Sequence, residues 1–280
     1  MIVDAHTHIF PASFIAERDA LVVAEPVFAT LYTSPKAAMA TASDLLGAMD
    51  EAGVDRAAIA GFTWLDRDRC ARHNDALLDA AGRSRGRLIA LCAVPISSPE
   101  VADQEMARCA AAGAAGFGEL RLDVSTGDGH HAAVLTAIGG AATRLRLPLL
   151  LHASEPVGHS YAGKEGGSLA GIWRFLTAHP AVTAILAHLG GGLPFYAHMP
   201  EVREVFERLL VDTAAIPWLY DPAAVEAAVG LVGADRVLFA TDFPLRHPRK
   251  DLAWLRSTGL DEHTLAAILG GNAARLFGWE

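Results

Sequence analysis

The chain has few cysteines, and none of them has a close cysteine neighbour in the sequence. The three residues, Cys70, Cys92 and Cys109, form no CxxC pair. An odd and scattered set of this kind argues against a disulfide framework and favours a reducing compartment. We therefore expect a cytoplasmic protein.

Long apolar runs are also missing. No uninterrupted apolar stretch approaches the roughly 20 residues that a membrane-spanning helix needs. The N-terminal residues do not form a signal peptide pattern, because no basic region precedes them and Asp4, His6 and His8 interrupt the apolar run. The formal net charge is -9, whereas a nucleic-acid partner favours a basic face. We expect neither a membrane nor a nucleic acid as a partner.

The remaining composition is that of a globular protein with alternating elements. Of the 280 residues, 52% are hydrophobic and 20% are charged, which is typical of globular domains. Eight apolar runs are predicted as strands: the N-terminal run that ends at His8, and residues 56–62, 87–94, 114–122, 147–152, 181–188, 208–212 and 236–242. Helical patterns separate them at 37–52, around 75–81, and at 99–112, 131–145, 169–178, 201–207, 222–231 and 261–277.

This alternation predicts an α/β fold, a single (β/α)8 TIM-type barrel of parallel strands that forms one domain over residues 1–280. A doubly wound sheet is the alternative. It would not gather side chains from the first, fifth, sixth and eighth strands at one point, whereas the strands of a barrel all end at one mouth. Residues 11–35 lack a clear period and are predicted as a loop or a short helical insertion beside the first strand.

Two histidines end the first strand. His6 and His8 are two residues apart, so on a strand both side chains point to the same face. Neutral imidazoles that converge on one point suit a divalent transition metal, and buried histidines satisfied by hydrogen bonds are the alternative. His152, His188 and Asp242 each follow another apolar run. Ligand-type residues after four separate strands favour the metal interpretation.

The motifs around these residues resemble the metal-ligand set of the amidohydrolase superfamily. They are Asp-Ala-His-Thr-His at 4–8, Leu-Leu-His at 150–152, Leu-Ala-His at 186–188 and Phe-Ala-Thr-Asp-Phe-Pro at 239–244. The sequence around His188 and Asp242 most resembles the amidohydrolase-related branch that includes aminocarboxymuconate semialdehyde decarboxylase. The motifs occur in the expected order and span nearly the whole chain.

The resemblance implies a role for each matching residue. His6, His8 and His152 would bind Zn²⁺ or another divalent transition metal. His188 would bind a second metal, or would act as a base or an oxyanion partner. Asp242 would bind the metal and carry the proton of a metal-bound water. A purely structural Asp242 that caps the following loop is the alternative.

Glu119 leaves the number of metal ions open. It ends the predicted fourth strand in a Gly-Glu-hydrophobic run similar to that of the metal-dependent deoxyribonuclease branch, in which a glutamate bridges two metals. Such a bridge would offset the repulsion between two cations about 4 Å apart. A salt bridge to Arg121 or to another residue of the mouth is the alternative. The expected cofactor is one divalent ion, or two if Glu119 bridges.

Two basic residues are candidates for substrate binding. Arg121 lies at the end of the predicted fourth strand, and Lys164 lies in the glycine-rich loop after the fifth. Either could bind a substrate carboxylate, Arg121 with bidentate geometry and Lys164 as a point charge. Ordinary solvated charges are the alternative for both.

The candidate residues predict a metal-dependent hydrolase of a small polar substrate. The substrate would be a carboxylate-bearing amide, ester or lactone, attacked by a metal-activated water whose proton Asp242 accepts. Non-oxidative decarboxylation of a small organic acid is the alternative, because the branch contains decarboxylases. A non-catalytic metal-binding or partner-binding barrel is the alternative from another class. Assembly into a homo-oligomer is left open.

Overall fold

The computed structural model describes residues 1–123 and 131–279, and its central feature is one sheet of eight parallel strands. The strands are β1 (Val3–His8), β2 (Arg56–Ala60), β3 (Leu88–Cys92), β4 (Gly116–Leu120), β5 (Leu149–Leu151), β6 (Ala184–Leu186), β7 (Leu209–Asp212) and β8 (Val237–Leu238). Strands that follow each other in the chain are also neighbours in the sheet.

Backbone contacts between the first and the last strand close the sheet. Ala5 N donates a hydrogen bond to Phe239 O at 2.9 Å, and Thr7 pairs with Phe243 in a parallel bridge. The predicted (β/α)8 TIM-type barrel is therefore confirmed. The carboxyl ends of all eight strands surround one mouth.

Helices follow most of the strands. They are α1 (Ala12–Ala16), α2 (Arg18–Ala24), α3 (Pro26–Tyr32), α4 (Ala42–Ala52), α5 (Arg67–Arg83), α6 (Pro99–Ala111), α7 (His131–Leu145), α8 (Leu169–Ala178), α9 (Pro200–Val205), α10 (Ala223–Val232), α11 (Pro248–Leu255), α12 (Glu262–Ala266) and α13 (Asn272–Phe277). In the described part of the chain, no helix has the length and apolar character that crossing a membrane requires.

Alternate residues of the strands pack into two buried layers. Ala57 and Ile59 of β2 belong to a cluster that also contains residues of α4 and α5, so this layer lies between the strands and the helices. Ala58 and Ala60 belong to a second cluster with residues of the other strands. That second layer fills the barrel, which makes the interior a packed core below the mouth.

The structure corrects several predicted boundaries. Most strands are shorter than predicted, at one end or at both. At most carboxyl ends, the chain leaves the sheet to form the loops of the mouth before the apolar run ends. Helix α4 begins at Ala42 rather than at residue 37, because Thr41 and Asp44 form a capping box at its start. Residues 11–35 contain the three short helices α1 to α3. The predicted C-terminal helix is interrupted by a π-helical turn at Ala267–Gly271, and α11 was not predicted.

Candidate metal centre

His6 and His8 face each other at the mouth of the barrel, with their Nε2 atoms 3.0 Å apart. The Nδ1 atom of His6 donates to Asp212 Oδ2 at 2.9 Å, and that of His8 donates to Ala60 O at 3.0 Å. These partners accept hydrogen bonds, so each neutral ring keeps its hydrogen on Nδ1 and a lone pair on Nε2. Two lone pairs cannot form a hydrogen bond with each other, whereas a proton or a metal cation between them would be bound by both.

Two carboxylates complete a set of four donor atoms around this point. Glu119 Oε2 lies 3.6 Å from His8 Nε2 and 3.8 Å from His6 Nε2. Asp242 Oδ1 lies 3.3 Å and 3.9 Å from the same two atoms. Neighbouring ligands of a tetrahedral ion with bonds of about 2.1 Å are about 3.4 Å apart. The residues present therefore fit one divalent cation.

Glu119 also belongs to a second group of donors. Its Oε1 atom accepts a hydrogen bond from His152 Nδ1 at 2.7 Å and lies 3.4 Å from His188 Nε2. The other nitrogen of His152 accepts from the hydroxyl of Ser154 at 3.0 Å. The structure thus brings His152 to Glu119 and His188, whereas the first group contains His6, His8 and Glu119. The Glu119 carboxylate therefore connects the histidines of the two groups.

The backbone of β4 must pass very close to β5 to place Glu119 in this position. Gly118 has φ 144°, and a Cβ atom there would clash with the carbonyl of Leu150. Only glycine combines this conformation with so close an approach. The Gly-Glu pair in the sequence is therefore explained by the geometry at the end of β4.

The charges at the centre favour a bound cation. Burial lowers the pKa of His6, but nearby carboxylates outweigh this effect and raise the pKa to about 10. Burial likewise lowers the pKa of His188, and the same carboxylates raise it to about 9. The carboxylates are those of Asp212, Glu119 and Asp242. A site that stabilises positive charge on its histidines also stabilises a metal cation.

The two carboxylates of the first group stay ionised. Burial raises the pKa of Glu119, but His152, His188 and His6 outweigh it and hold the pKa well below its usual value. Burial also raises the pKa of Asp242, while the neighbouring imidazoles of His8 and His6 lower it below the usual value. Both carboxylates are therefore available as anionic ligands at neutral pH.

Two residues of the centre have left-handed backbone conformations that are uncommon outside glycine. His188 has φ 57° and Asp242 has φ 63°. Asp212 Oδ1 accepts from the backbone N–H of His188 at 2.9 Å, and the N–H of Asp242 donates to the carbonyl of His6 at 2.9 Å. Such conformations persist where the surrounding structure fixes them, and they concentrate at functional sites.

Sequence reasoning missed two buried aspartates that support the centre. Asp212, at the end of β7, bonds both His6 and the backbone of His188. Asp4 accepts from the backbone N–H and the hydroxyl of Thr241 at 3.0 and 2.6 Å, which fixes the chain next to Asp242. The sequence does contain a signal for Asp212, because it is a charged residue at the end of the apolar run 209–211.

The six candidate ligands, which we call the donor cluster, are His6, His8, Glu119, His152, His188 and Asp242. A cavity of about 310 Å³ opens onto this donor cluster. Its wall combines site residues with apolar, aromatic and basic side chains. The lining residues that bear on the chemistry are His8, Leu31, Tyr32, Lys36, Phe62, Glu119, Arg121, His152, His188, Asp242 and Leu245. The ring of Phe62 stacks on that of His8, with centroids 4.5 Å apart. The cavity thus offers an apolar face beside the metal donors, as small-molecule sites commonly do.

The structure places the two candidate substrate-binding residues differently. Arg121 lines the cavity, and its Nη1 atom donates to the carbonyls of Gly163, at 2.7 Å, and Glu165. Among the described residues, no acceptor contacts its Nε or Nη2, so these N–H groups are available to a ligand. Lys164 lies outside the cavity, and its ammonium donates to two carbonyls of its own loop, at 2.7 and 2.9 Å.

Comparisons with known proteins identify the family. The sequence profile of the amidohydrolase family matches residues 3–279. The chain belongs to the amidohydrolase family. The resemblance inferred from the motifs is thereby confirmed.

Several similar proteins are named as decarboxylases. The gamma-resorcylate decarboxylase of Rhizobium radiobacter is 27% identical over 246 residues, which cover 74% of this chain and 75% of that protein. The structure of 2,6-dihydroxybenzoate decarboxylase from Rhizobium superposes with a TM-score of 0.72 at 21% identity, covering 99% and 98% of the two chains. That of 5-carboxyvanillate decarboxylase from Novosphingobium aromaticivorans, solved with manganese, gives 0.78 at 17% identity, covering 99% and 96%.

These relatives overturn the expectation that the protein is a hydrolase. The motifs could not reveal the error, because the same donors can hold a cation that binds either a water or a substrate carboxylate. The expectation of zinc is not confirmed either. A mixed set of imidazole and carboxylate ligands suits manganese as well as zinc.

Proposed function

We propose that the protein is a metal-dependent, non-oxidative decarboxylase of a hydroxylated benzoate such as 2,6-dihydroxybenzoate. The observation that carries the proposal is the similarity to gamma-resorcylate decarboxylases over 74% of the chain. The cavity supports it, because about 310 Å³ accommodates one substituted benzene ring beside the donor cluster. The substrate is a small molecule that bears a carboxylate.

Four side chains of the mouth would hold the metal. They are His6, His8, Glu119 and Asp242, whose donor atoms surround one point. When bound, a divalent cation such as Mn²⁺ supplies a Lewis acid that anchors the anionic oxygens of the substrate. His152 and His188 hold the Glu119 carboxylate from its other oxygen.

The cavity wall would orient the substrate. The Nε and Nη2 groups of Arg121, which have no acceptor among the described residues, can donate to the substrate carboxylate. A guanidinium suits this task because its donors form a planar fork. Phe62 and Leu31 provide apolar surface for the ring. Together these contacts would direct the carboxylate toward the donor cluster and exclude bulk water from it.

Decarboxylation requires a proton at the ring carbon that bears the carboxylate. Once this proton is added, the bond between the ring carbon and the carboxylate carbon breaks, its electron pair returns to the ring and CO₂ leaves. Asp242 is our candidate for the residue that carries the proton, because its side chain lines the cavity and is 15% exposed, whereas that of Glu119 is 5% exposed. The ionised carboxylate of Asp242 would first take a proton from solvent and then deliver it to the ring carbon. His188, which also lines the cavity, is the second candidate.

A panel of substrates tests the proposed function. The protein loaded with Mn²⁺ would be incubated with 2,6-dihydroxybenzoate, with 5-carboxyvanillate and with their methyl esters, and the products would be separated by chromatography. We expect the free acids to yield the corresponding phenols. The esters should remain intact, because their cleavage requires hydrolase activity. Cleavage of the esters without loss of CO₂ from the acids would contradict the proposal.

A further inference from the structure

One wall of the cavity comes from the segment between β1 and α4, which sequence reasoning left without a role. Leu31 and Tyr32, at the end of α3, and Lys36 line the cavity that opens onto the donor cluster. The guanidinium of Arg18 ties this segment together by donating to Tyr32 O at 3.1 and 2.8 Å and to Ala37 O at 3.1 Å. The segment is therefore held in place by side-chain contacts to its backbone.

Tyr32 is the polar aromatic residue of this wall. Its side chain is 7% exposed, and its ring packs against those of Phe28, Phe10 and Phe62 at centroid distances of 4.5, 5.3 and 5.9 Å. These aromatic neighbours fix the ring on three sides. The direction of the hydroxyl is consequently determined by the packing rather than by a hydrogen bond.

The hydroxyl of Tyr32 has no hydrogen-bond partner in residues 1–123 and 131–279, and Tyr32 lines the cavity. Burial and the charges of Asp242 and Glu119 raise the pKa of this phenol above its usual value, so it remains a hydrogen-bond donor at neutral pH. Buried tyrosine hydroxyls usually have a partner. A donor that faces a ligand cavity can find its acceptor on the ligand.

We propose that Tyr32 is a specificity-determining residue that donates its hydroxyl hydrogen to a ring oxygen next to the carboxylate of a hydroxylated benzoate. This inference rests on the proposed function. The carboxylate of the substrate is better matched by the charged Arg121 and by a cation at the donor cluster. A neutral phenol is suited to the ring hydroxyl or phenolate that distinguishes these substrates from benzoate itself.

The matched variants are Tyr32→Phe and Tyr196→Phe. The first removes one oxygen and keeps the aromatic packing, and the second makes the same change at a tyrosine that is 49% exposed and lies outside the cavity. Equilibrium binding of benzoate and of 2-hydroxybenzoate to the Mn²⁺-loaded proteins would be measured by calorimetry. Thermal unfolding of both variants verifies that they remain folded.

We expect Tyr32→Phe to weaken the binding of 2-hydroxybenzoate by about tenfold or more, because a hydrogen bond to a charged or partly charged oxygen is lost. Benzoate should bind both proteins alike, and Tyr196→Phe should behave as the wild type. Equal effects on the two ligands, or no preference of the wild type for 2-hydroxybenzoate, would overturn the assignment of Tyr32.

The binding measurement does not depend on turnover. If the wild type shows the Tyr32-dependent preference but decarboxylates no hydroxybenzoate, the proposed reaction fails while the role of Tyr32 stands. If decarboxylation occurs and the preference survives in Tyr32→Phe, the role of Tyr32 fails while the proposed function stands.

Discussion

Asp212 Oδ2 accepts a hydrogen bond from His6 Nδ1 at 2.9 Å, and both side chains are fully buried. The second oxygen of Asp212 accepts from the backbone N–H groups of His188 and Ala214, at 2.9 and 3.0 Å. The carboxylate of Asp212 therefore fixes both the ring of His6, a candidate metal ligand, and the left-handed backbone of His188. Carboxylates that hold metal-bound histidines in this way are part of the design of many metal sites.

Asp212→Asn should weaken metal binding without removing a donor atom. The amide keeps the shape of the side chain but loses the negative charge that orients His6 and increases its basicity. Loss of such a partner typically costs about 10–100-fold in metal affinity, and we expect a loss of this size for Mn²⁺, measured by calorimetric titration of the metal-free protein. Asp19→Asn, at an exposed position of α2, is the matched control. Unchanged affinity in Asp212→Asn would show that its role is confined to the backbone.

Glu119→Gln tests the number of ions. The donor atoms of His6, His8, Glu119 and Asp242 surround one point, so the wild type should bind one Mn²⁺ per chain. The substitution replaces an anionic ligand with a neutral amide, so the affinity of Glu119→Gln for Mn²⁺ should fall by at least about tenfold. The variant Glu204→Gln, at an exposed position, should bind Mn²⁺ as the wild type does. Two ions in the wild type and one in Glu119→Gln, by elemental analysis, would instead assign Glu119 to a bridge between metals.

Asp242→Asn tests the proton carrier. The amide preserves the size of the side chain and can still contact the metal, but it has no carboxylate to carry a proton. A positioned general acid or base contributes about 10²–10⁴-fold to a rate, so kcat for decarboxylation should fall by that factor while the metal remains bound. Full activity with metal bound would exclude Asp242 as the carrier, and His188 would be the next residue to examine.

Much of this centre could be predicted from the sequence, because the candidate ligands stand directly after apolar runs. His6, His8, His152, His188 and Asp242 were chosen for that reason, and the barrel brings them to one mouth. The division of these residues into two groups around Glu119 could not be predicted. It depends on where each ring points after its strand has ended, and several strands end earlier than the apolar run suggests.

The roles of Asp212 and Tyr32 were harder to predict from the sequence. Asp212 occupies an ordinary position at a strand end, and its importance lies in contacts with residues more than twenty positions away or on another strand. Tyr32 lies in a stretch without periodicity, where no pattern indicates which face meets the cavity. The choice between hydrolysis and decarboxylation was equally hidden, because it depends on the substrate rather than on the metal donors.

Stability at low pH should depend on the ionised Glu105, a buried side chain outside the mouth. Arg108 donates to both oxygens of Glu105, at 2.8 and 2.7 Å, and Asn74 donates to one of them at 2.7 Å. Burial raises the pKa of Glu105, but these hydrogen bonds outweigh it and lower the pKa below its usual value. The resulting stabilisation is fully present above the pKa of unfolded glutamate, about 4.3, and is lost as the pH falls through the folded-state pKa.

Glu105→Gln should therefore destabilise the protein at pH 7 by about 1.5–3 kcal/mol, the usual range for hydrogen bonds to a charged group. The difference from the wild type should shrink as the pH falls below about 4. Urea unfolding at several pH values measures both quantities, with the exposed Glu204→Gln as the control. A destabilisation independent of pH would indicate that packing, and not the charge of Glu105, is responsible.

The central claim is that a cation held at the mouth of this barrel enables the loss of CO₂ from a hydroxylated benzoate. The most direct measurement is the release of labelled CO₂ from carboxyl-labelled 2,6-dihydroxybenzoate, the substrate named for a structural relative, by the protein as purified, after chelation and after addition of Mn²⁺. We predict release that chelation abolishes and Mn²⁺ restores, with one phenol formed per CO₂. Release that persists after complete removal of metal, or no release by folded, Mn²⁺-loaded protein, would contradict the account.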